Sequence, residues 1–342
     1  LCALESSVQR AIQRATLSAG TPCTHVVSNF PLNQVDCVQG TAIVHSRSKS
    51  GKIQHEDKVL AIKKAEKGIN TAGQVVLHAI PVQYRVDGVE VDDITDIEGS
   101  DLEVDTTFIL ANEDTATAIR QLYQNLGLTL HSMVYDGLAL SKALSSYEDL
   151  QNGVSIVDMG GQFTKITTYH GGHLSNIGIL PYGGNTITSD ISICLKSTVP
   201  EAERVKIIRG TVAVDEVSES EELQIMTQKG TQTIKRKFLA QIIDARVDEL
   251  CHMFLQQMAE SFEQSQKIIL AGQAAQLQGL VTKIEALTQT PTQIGDLDAE
   301  RYAQEAGLSS AYALALGVLE YANDISELHV RINSSNEKNK KP

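Results

Sequence analysis

The middle of the chain constrains its fold more than any other part. The run Val154–Asp158 is typical of a buried strand, and Gly160-Gly161 supplies a turn directly after it. Alternating apolar and polar residues predict a second strand over Phe163–Tyr169 and a third over Leu174–Leu180. The sequence therefore predicts a meander of three strands joined by hairpins, followed by a helix that opens at Gly183-Gly184 and ends near residue 195.

Both glycine pairs have the chemistry of an anion site. Glycine has no Cβ, so its backbone N–H can approach a phosphate closely, and a glycine pair before a helix directs amides and the positive helix end toward an anion. Asp158, at the end of the preceding strand, can hold Mg²⁺ through water. The same residues also suit an ordinary hairpin turn and a helix cap at Asn185 or Thr186, so both interpretations stay open at this point.

A third glycine turn follows a later strand. The strand-like run Lys267–Leu270 leads into Gly272, Gln273 and Ala274, and small residues there allow the close approach that a flat base or ribose needs. Tight packing of a strand against a helix would use the same residues. The sequence contains no Walker loop, no G-x-S-x-G elbow and no H-E-x-x-H motif, so other common catalytic signatures are absent.

The composition of the chain limits the classes of partner that it can bind. The formal net charge of −13 repels phosphodiester backbones and anionic lipid headgroups at long range. Aromatic residues make up 4% with no tryptophan, which leaves few platforms for base stacking. Nucleic acid is therefore not an expected partner, and membrane attachment would need a separate local element. The five cysteines are scattered, which predicts reduced thiols in the cytosol.

Other segments follow helix and strand patterns. The first part alternates between them, and the second half is mainly helical, including a predicted helix over Gln276–Leu287 and another over Gly307–Ala322. An acidic stretch over Asp87–Asp101 separates two predicted strands, Val75–Val82 and Thr106–Ala111.

Six segments together match a known pattern: His78–Gly88, Leu180–Asn185, Thr188–Ile191 and Glu201–Lys206, with Leu4–Ala15 and Ile242–Leu250 also similar. These segments resemble the FtsA family of actin-like bacterial cell division proteins, within the actin/Hsp70/sugar-kinase superfamily. The resemblance implies an α/β, actin-like, two-lobed ATPase fold in which an inserted 1C-type subdomain replaces the usual actin 1B.

The resemblance also implies subdomain boundaries. Lobe 1 (1A-like) would comprise residues 1–20 and 106–182, the inserted 1C-like subdomain 21–105, lobe 2 (2A-like) 183–200 and 256–332, the 2B-like subdomain 201–255, and a disordered linker 333–342. The family's first phosphate hairpin, which should precede Leu1, and its C-terminal amphipathic membrane helix are both expected to be missing.

The resemblance implies ATP and Mg²⁺ as cofactors. Asp158, as the metal-binding carboxylate, would lie with the first glycine turn at the β- and γ-phosphates, with the second turn nearby. The nucleoside would lie between Glu203 and Lys206, above the third turn. The implied cofactor-binding residues are Asp158, Gly160, Gly161, Gln162, Gly183, Gly184, Asn185, Thr186, Glu203, Lys206, Gly272, Gln273 and Ala274.

Three residues depart from the family's pattern. Gln162 and Gln273 stand where the family has glycine, and Phe163 stands where a small threonine is usual. A glutamine side chain fills space that glycine leaves open, and overpacking of this kind is destabilising. We therefore predict weakened ATP binding.

The implied function is that of a scaffold, at most a weak ATPase. Such a protein binds the C-terminal tail of the tubulin-like FtsZ through the segment of Arg246 and Glu249, polymerises through the 1C-like subdomain, meets other divisome proteins, and tethers the division ring to the cytoplasmic face of the bacterial inner membrane at the division site. Two alternatives stay open. One is a pilus-type or chaperone-type actin-like adaptor that does not bind FtsZ, and the other is a small-molecule kinase, which would need a carboxylate base opposite the phosphates.

Overall fold

The computed structural model describes residues 2–30, 35–46, 51–227, 229–297 and 310–323 of this chain. Contacts between residues divide the chain into two compact units. Unit 1 comprises Leu1–Asp136 with Val318–Pro342, and unit 2 comprises Gly137–Gly317.

Unit 1 contains two sheets in its described part. Its elements, in chain order, are α1 (Cys2–Ala19), β1 (His25–Phe30), β2 (Val35–His45), α2 (His55–Gly68), β3 (Gln74–Val86), β4 (Val89–Val91), β5 (Asp101–Asn112), α3 (Glu113–Asn125) and β6 (Thr129–Tyr135). Strands β1 and β6 pair in parallel, whereas β2, β5, β3 and β4 form an antiparallel sheet in that order. Gly40 of β2 lets helix α2 pack closely against this sheet, because a Cβ there would lie 3.3 Å from the carbonyl oxygen of Ala65 in the helix and 3.1 Å from Ile69, which follows it.

Unit 2 is built on a five-stranded sheet with the order β13-β12-β7-β8-β9. Its elements are α4 (Asp136–Leu144, starting at the boundary), α5 (Tyr147–Asn152), β7 (Val154–Met159), β8 (Thr164–His170), β9 (His173–Leu180), α6 (Gly184–Leu195), α7 (Val199–Arg209), β10 (Glu222–Thr227), β11 (Gly230–Lys235), α8 (Arg236–Glu263), β12 (Lys267–Ala271), α9 (Leu280–Thr288) and β13 (Thr292–Ile294). Strands β13, β12 and β7 are parallel, and β7, β8 and β9 are antiparallel neighbours. A further helix, α10, covers residues 313–323, of which 313–317 belong to unit 2 and the rest to unit 1.

The core of unit 2 lies on both faces of this sheet. Val157 and Met159 of β7 belong to an apolar cluster that includes residues of α6, α8 and α9. Val154 and Ile156 alternate with them along the strand and belong to a second cluster with residues of α4. A strand buried on both faces reads as a continuous apolar run, which is the pattern of Val154–Asp158 in the sequence.

The central predictions are confirmed and two others are corrected. The meander of β7, β8 and β9 and the helix ending at Leu195 are present as predicted. The helix predicted over Gln276–Leu287 begins only at Leu280, because Gly279 has a φ of +84°, a left-handed conformation that an α-helix does not contain. The β10–β11 hairpin was missed in a half predicted to be mainly helical.

Further predictions concern the acidic stretch before β5 and the last part of the chain. The acidic stretch before β5 contains the short strand β4, which pairs with the end of β3. The predicted linker 333–342 and the start of the helix predicted from Gly307 lie outside the described residues. Among the described residues, no helix combines the length and the apolar character needed to cross a bilayer.

Candidate functional site

The candidate site lies at the carboxyl ends of two parallel strands in unit 2. Ala271 of β12 is in register with Asp158 of β7, and each strand runs on into a glycine turn. Gly272 has a φ of +84°, and a Cβ there would lie 2.5 Å from the carbonyl oxygen of Met159 and 2.7 Å from Oδ1 of Asp158. Only glycine allows this approach. The carboxyl ends of parallel strands are where open α/β sheets bind ligands.

The first and second glycine turns are in direct contact. The amide of Gly184 donates to the carbonyl oxygen of Gly160 at 2.9 Å, and the amide of Asn185 donates to that of Gly161 at 2.8 Å. A Cβ on Gly183 would lie 2.4 Å from the carbonyl oxygen of Gly160. The first free amides of α6 are therefore capped by the hairpin turn.

The first glycine turn, which is the hairpin between β7 and β8, also has backbone amides that can donate to a ligand. The amide of Gly160 donates to the carbonyl oxygen of Phe163 at 3.0 Å, which closes the turn. The amides of Gly161 and Gln162 donate no hydrogen bond within the described part of the chain, and both residues are exposed. Two neighbouring free amides at an exposed turn can bind an anion.

Lys206 joins α7 to the start of α6. The residue is 9% exposed, and its Nζ donates to the carbonyl oxygen of Gly184 at 3.0 Å and to Oγ1 of Thr188 at 2.8 Å. It also forms an ion pair with Glu203 at 2.7 Å. An ammonium group has three donors, and these three acceptors engage all of them.

Glu203 is ionised more readily because of this arrangement. Partial burial alone would raise the pKa of its carboxyl group, but hydrogen bonds from Lys206 and Thr188 outweigh burial and lower it. The part played by Thr188 was not predicted from the sequence. Its position four residues after Gly184, one helical turn along α6, is the spacing that could have revealed it.

Two cavities adjoin these turns. One has a volume of about 200 Å³, with Lys206 and Ala274 in its wall. The other has a volume of about 420 Å³ and is lined by Asp158 and Gly272. Gln273 lines both cavities and is exposed, so its side chain stands at their common border.

The structure thus brings the predicted cofactor residues of unit 2 together. Asp158 and the three glycine turns meet at one sheet edge, while Glu203 and Lys206 are attached to the start of α6. The helix cap considered at Asn185 or Thr186 is wrong, because the N-cap of α6 is Gly183 and both residues lie in the first turn of the helix. The amide of Thr186 donates to the carbonyl oxygen of Gly183 at 3.0 Å. No cluster of three or more histidine, cysteine, aspartate or glutamate side chains suited to a metal occurs in the described ranges. A magnesium ion here would depend on Asp158, water and ligand oxygens.

Arg246 and Glu249 lie in a separate groove of unit 2. Arg246 of α8 forms ion pairs with Asp190 of α6 and with Glu249. The groove between these helices has a volume of about 370 Å³ and is also lined by Phe238, which is 47% exposed. Its lining residues differ from those of the two cavities at the glycine turns.

Comparisons with known proteins agree with this architecture. The family model described as "Cell division protein FtsA" matches residues 155–342, and the model described as "SHS2 domain inserted in FTSA" matches residues 33–110. The cell division protein FtsA of Escherichia coli strain K12 is 26% identical over 96% of this chain and 82% of the relative. The FtsA of Bacillus subtilis strain 168 is 30% identical over 74% of this chain and 58% of the relative.

Solved structures show the same fold at lower identity. The PilM–PilN type IV pilus biogenesis complex aligns with a TM-score of 0.61 and 16% identity, over 92% of this chain and 84% of the other. MreB5 of Spiroplasma citri bound to AMPPNP aligns with a TM-score of 0.51 and 16% identity, over 66% and 68%.

The fold is therefore the α/β actin-like fold, carrying an SHS2-type insertion in unit 1, as the sequence predicted. Because the FtsA model matches more than half of the chain, the chain belongs to the FtsA family of cell division proteins. Its role is in cell division.

Proposed function

We propose that unit 2 binds ATP with Mg²⁺ at the carboxyl ends of β7 and β12, and that the chain is a nucleotide-dependent scaffold with at most weak ATPase activity. The observation that carries this proposal is the pair of exposed amides at Gly161 and Gln162, beside Asp158, which donate no hydrogen bond to any described residue. The MreB5 structure supports the proposal, because that protein has the same fold and is bound to AMPPNP.

Each part of the site has a task in this proposal. The amides of Gly161 and Gln162 bind the phosphates, and Asp158 holds Mg²⁺. The nucleoside occupies the cavity of about 200 Å³ beside Lys206 and Ala274. Since all donors of Lys206 are engaged, this lysine shapes the cavity wall and does not bind phosphate directly. Bound ATP supplies the negative charge that the free amides attract.

The two departures from the family's glycines give the test. Replacing Gln162 and Gln273 with glycine should raise ATP affinity roughly tenfold, because both side chains are exposed at the turns and Gln273 borders both cavities. Titration calorimetry with ATP and Mg²⁺ measures this. Gln289→Gly is the matched control, since Gln289 is exposed and has a φ of +56° at the end of α9, where glycine is tolerated.

Two results would count against these ideas. If neither the wild type nor the double variant binds ATP, the nucleotide site itself is refuted. If the double variant binds no better than the wild type, the site stands and the steric role of the glutamines is wrong.

We further propose that the groove at Arg246 and Glu249 receives the C-terminal tail of FtsZ. The support is the exposed Phe238 beside the charged pair, which offers apolar contact and charge in one groove. Arg246→Glu should weaken binding of a labelled tail peptide roughly tenfold, because three carboxylates would then face an acidic tail. Fluorescence anisotropy measures this, with the exposed Arg120→Glu as the control. Equal affinity in both variants would place the tail elsewhere.

The remaining elements of the proposal concern assembly. Lobe 1 would be residues 1–20 and 106–182, the 1C-like subdomain 21–105, lobe 2 residues 183–200 and 256–332, and the 2B-like subdomain 201–255. The 1C-like subdomain would mediate self-association, with other divisome proteins as further partners. The site of action would be the cytoplasmic face of the inner membrane at the division septum. The model of an inserted domain matches residues 33–110, and this match supports an inserted subdomain near the proposed range 21–105.

A further inference from the structure

The inserted domain of unit 1 has a groove of its own. It lies between strand β2 and helix α2 and has a volume of about 830 Å³. The strand contributes Ile43, Val44 and His45, and we call the feature the β2–α2 groove. The helix contributes Leu60, Lys63, Lys64, Glu66 and Lys67.

The charge of this groove is opposite to that of the chain. Lys63, Lys64 and Lys67 are exposed and face a single carboxylate from the same helix, Glu66. The Nδ1 of His45 is hydrogen-bonded to Oδ1 of Asp101 at 2.8 Å. In a chain of formal net charge −13, three lysines in one groove form a local positive field that attracts acidic ligands.

Apolar surface lies between these charges. Ile43 is 49% exposed and Leu60 is 48% exposed. Both line the groove, Leu60 from α2 beside the lysines and Ile43 from β2. The side chain of Ile43 lies on the sheet face away from α2, because its neighbours Ala42 and Val44 are the buried residues that share apolar clusters with α2. Open apolar side chains bordered by charges are the arrangement of a protein-binding groove with a polar rim.

The strand side of the groove can also offer its backbone. Strand β2 lies at the edge of its sheet and, among the described strands, pairs only with β5. An edge strand has a row of N–H and C=O groups that can pair with an added strand. The Nζ of Lys64 donates to the carbonyl oxygen of Ile43 at 2.8 Å, so an added strand would displace Lys64 from this acceptor.

We propose that the β2–α2 groove binds an extended, acidic peptide segment of a partner protein, which joins β2 as a further strand. Its carboxylates face α2 and pair with Lys63, Lys67 and the displaced Lys64, and its alternate apolar side chains cover Ile43 on the opposite face of the sheet. Side chains alternate between the two faces of a strand, so a peptide that alternates acidic and apolar residues meets both features.

Two other occupants are less well matched. An anionic membrane attracts cations that lie on one exposed plane, whereas these lysines border a groove with an apolar floor and a strand edge. A second copy would offer the edge strand β4, but this strand has only three residues, Val89–Val91, and one carboxylate, Glu90, to set against three lysines. Other acidic residues near it are engaged within the same domain. Glu103 and Asp105 pair with Arg85, and Asp87 accepts hydrogen bonds from the amides of Ser100 and Asp101.

The test uses the whole chain and a short labelled peptide of alternating valine and glutamate. Fluorescence anisotropy should detect binding that weakens as salt is raised. The double variant Lys63→Glu/Lys67→Glu should lower affinity roughly tenfold or more, because it reverses two charges in the groove. Lys196→Glu/Lys229→Glu is the control, since it makes the same charge change at exposed lysines of unit 2. Equal melting temperatures of both variants establish that the fold is kept.

Two further peptides separate strand pairing from charge. A peptide with lysine in place of glutamate should not bind, and one with proline in place of central valines should bind roughly tenfold more weakly, because proline has no N–H for the ladder. Absence of binding, equal binding by the proline peptide, or equal binding by the Lys63/Lys67 variant would each overturn the proposal. So would vesicle binding or self-association that depends on these lysines while the acidic peptide fails to bind.

Discussion

The turn at Gly160-Gly161 and the turn at Gly183-Gly184 have the same pair of residues, but their backbone groups are used differently. In the second turn, Gly183 lies against the first turn so closely that a Cβ would be 2.4 Å from the carbonyl oxygen of Gly160. The following amide, that of Gly184, is bound to the same oxygen. The glycines of the second turn are therefore explained by packing alone.

The first turn has space around it. A Cβ on Gly160 would meet only the carbonyl oxygen of Phe163 at 3.1 Å, and one on Gly161 would meet the side chain of Asn185 at 3.1 Å. Its carbonyl oxygens hold the start of α6, while the amides of Gly161 and Gln162 remain free in the described structure. One glycine pair is thus required by the fold, and the other leaves donors for a ligand. A shared sequence pattern does not establish a shared function.

Gly183→Ala should have the largest effect of the substitutions that test this comparison. Its φ of −163° suits any residue, so backbone strain is not the cause. The new methyl group must instead separate the two turns, and we expect a loss of about 3 kcal/mol in the free energy of unfolding. Urea denaturation measures it. A variant as stable as the wild type would show that the turns do not need this contact.

Lys206→Met should have the next largest effect. It removes the donor shared by Gly184, Thr188 and Glu203, and we expect a loss of about 2 kcal/mol. It should also change the response to acid. The pKa of Glu203 is lowered in the folded chain, so its contribution to stability is complete above the ordinary value of 4.5 and is lost as the pH falls below it.

The acid response distinguishes the ion pair from packing. In the wild type, part of the stability should disappear as the pH is lowered through this range, and in Lys206→Met that part should be smaller, because only the hydrogen bond from Thr188 remains to Glu203. Lys196→Met, at an exposed lysine, is the control for loss of a positive charge. Parallel stability curves for the wild type and Lys206→Met would mean that Glu203 gains nothing from this lysine.

The sequence predicted local structure better than the contacts between segments. The strand-turn-strand pattern of β7 and β8 depends on neighbouring residues, and it was found where predicted. The hairpin β10–β11 has the same kind of signal, since Leu223 and Ile225 alternate with polar residues and Gly230 has a φ of +103° in its turn. The surrounding helical pattern hid it.

The capping of α6 could not be read from the sequence. Gly160 and Gly184 are far apart in the chain, and the hydrogen bond between them depends on how β9 returns α6 to the end of β7. The sequence alone predicts that the amides of the second turn are available to bind a phosphate. Only the folded backbone shows which donors are already engaged and which side chains, such as Thr188, complete the arrangement.

Gly161→Ala should have the smallest effect on stability and still lower ATP affinity. The new Cβ meets only the movable end of the Asn185 side chain, so we expect a change within about 0.5 kcal/mol in the free energy of unfolding. The same methyl group lies beside a free amide, where it should weaken ATP binding about fivefold, or roughly 1 kcal/mol. Calorimetry in the Gln162→Gly/Gln273→Gly background measures this, and Gly68→Ala, which adds a methyl group in open space, is the control. If Gly161→Ala were strongly destabilised, the first turn would be required by packing in the same way as the second. If its ATP affinity were unchanged, the first turn would not belong to the ligand site.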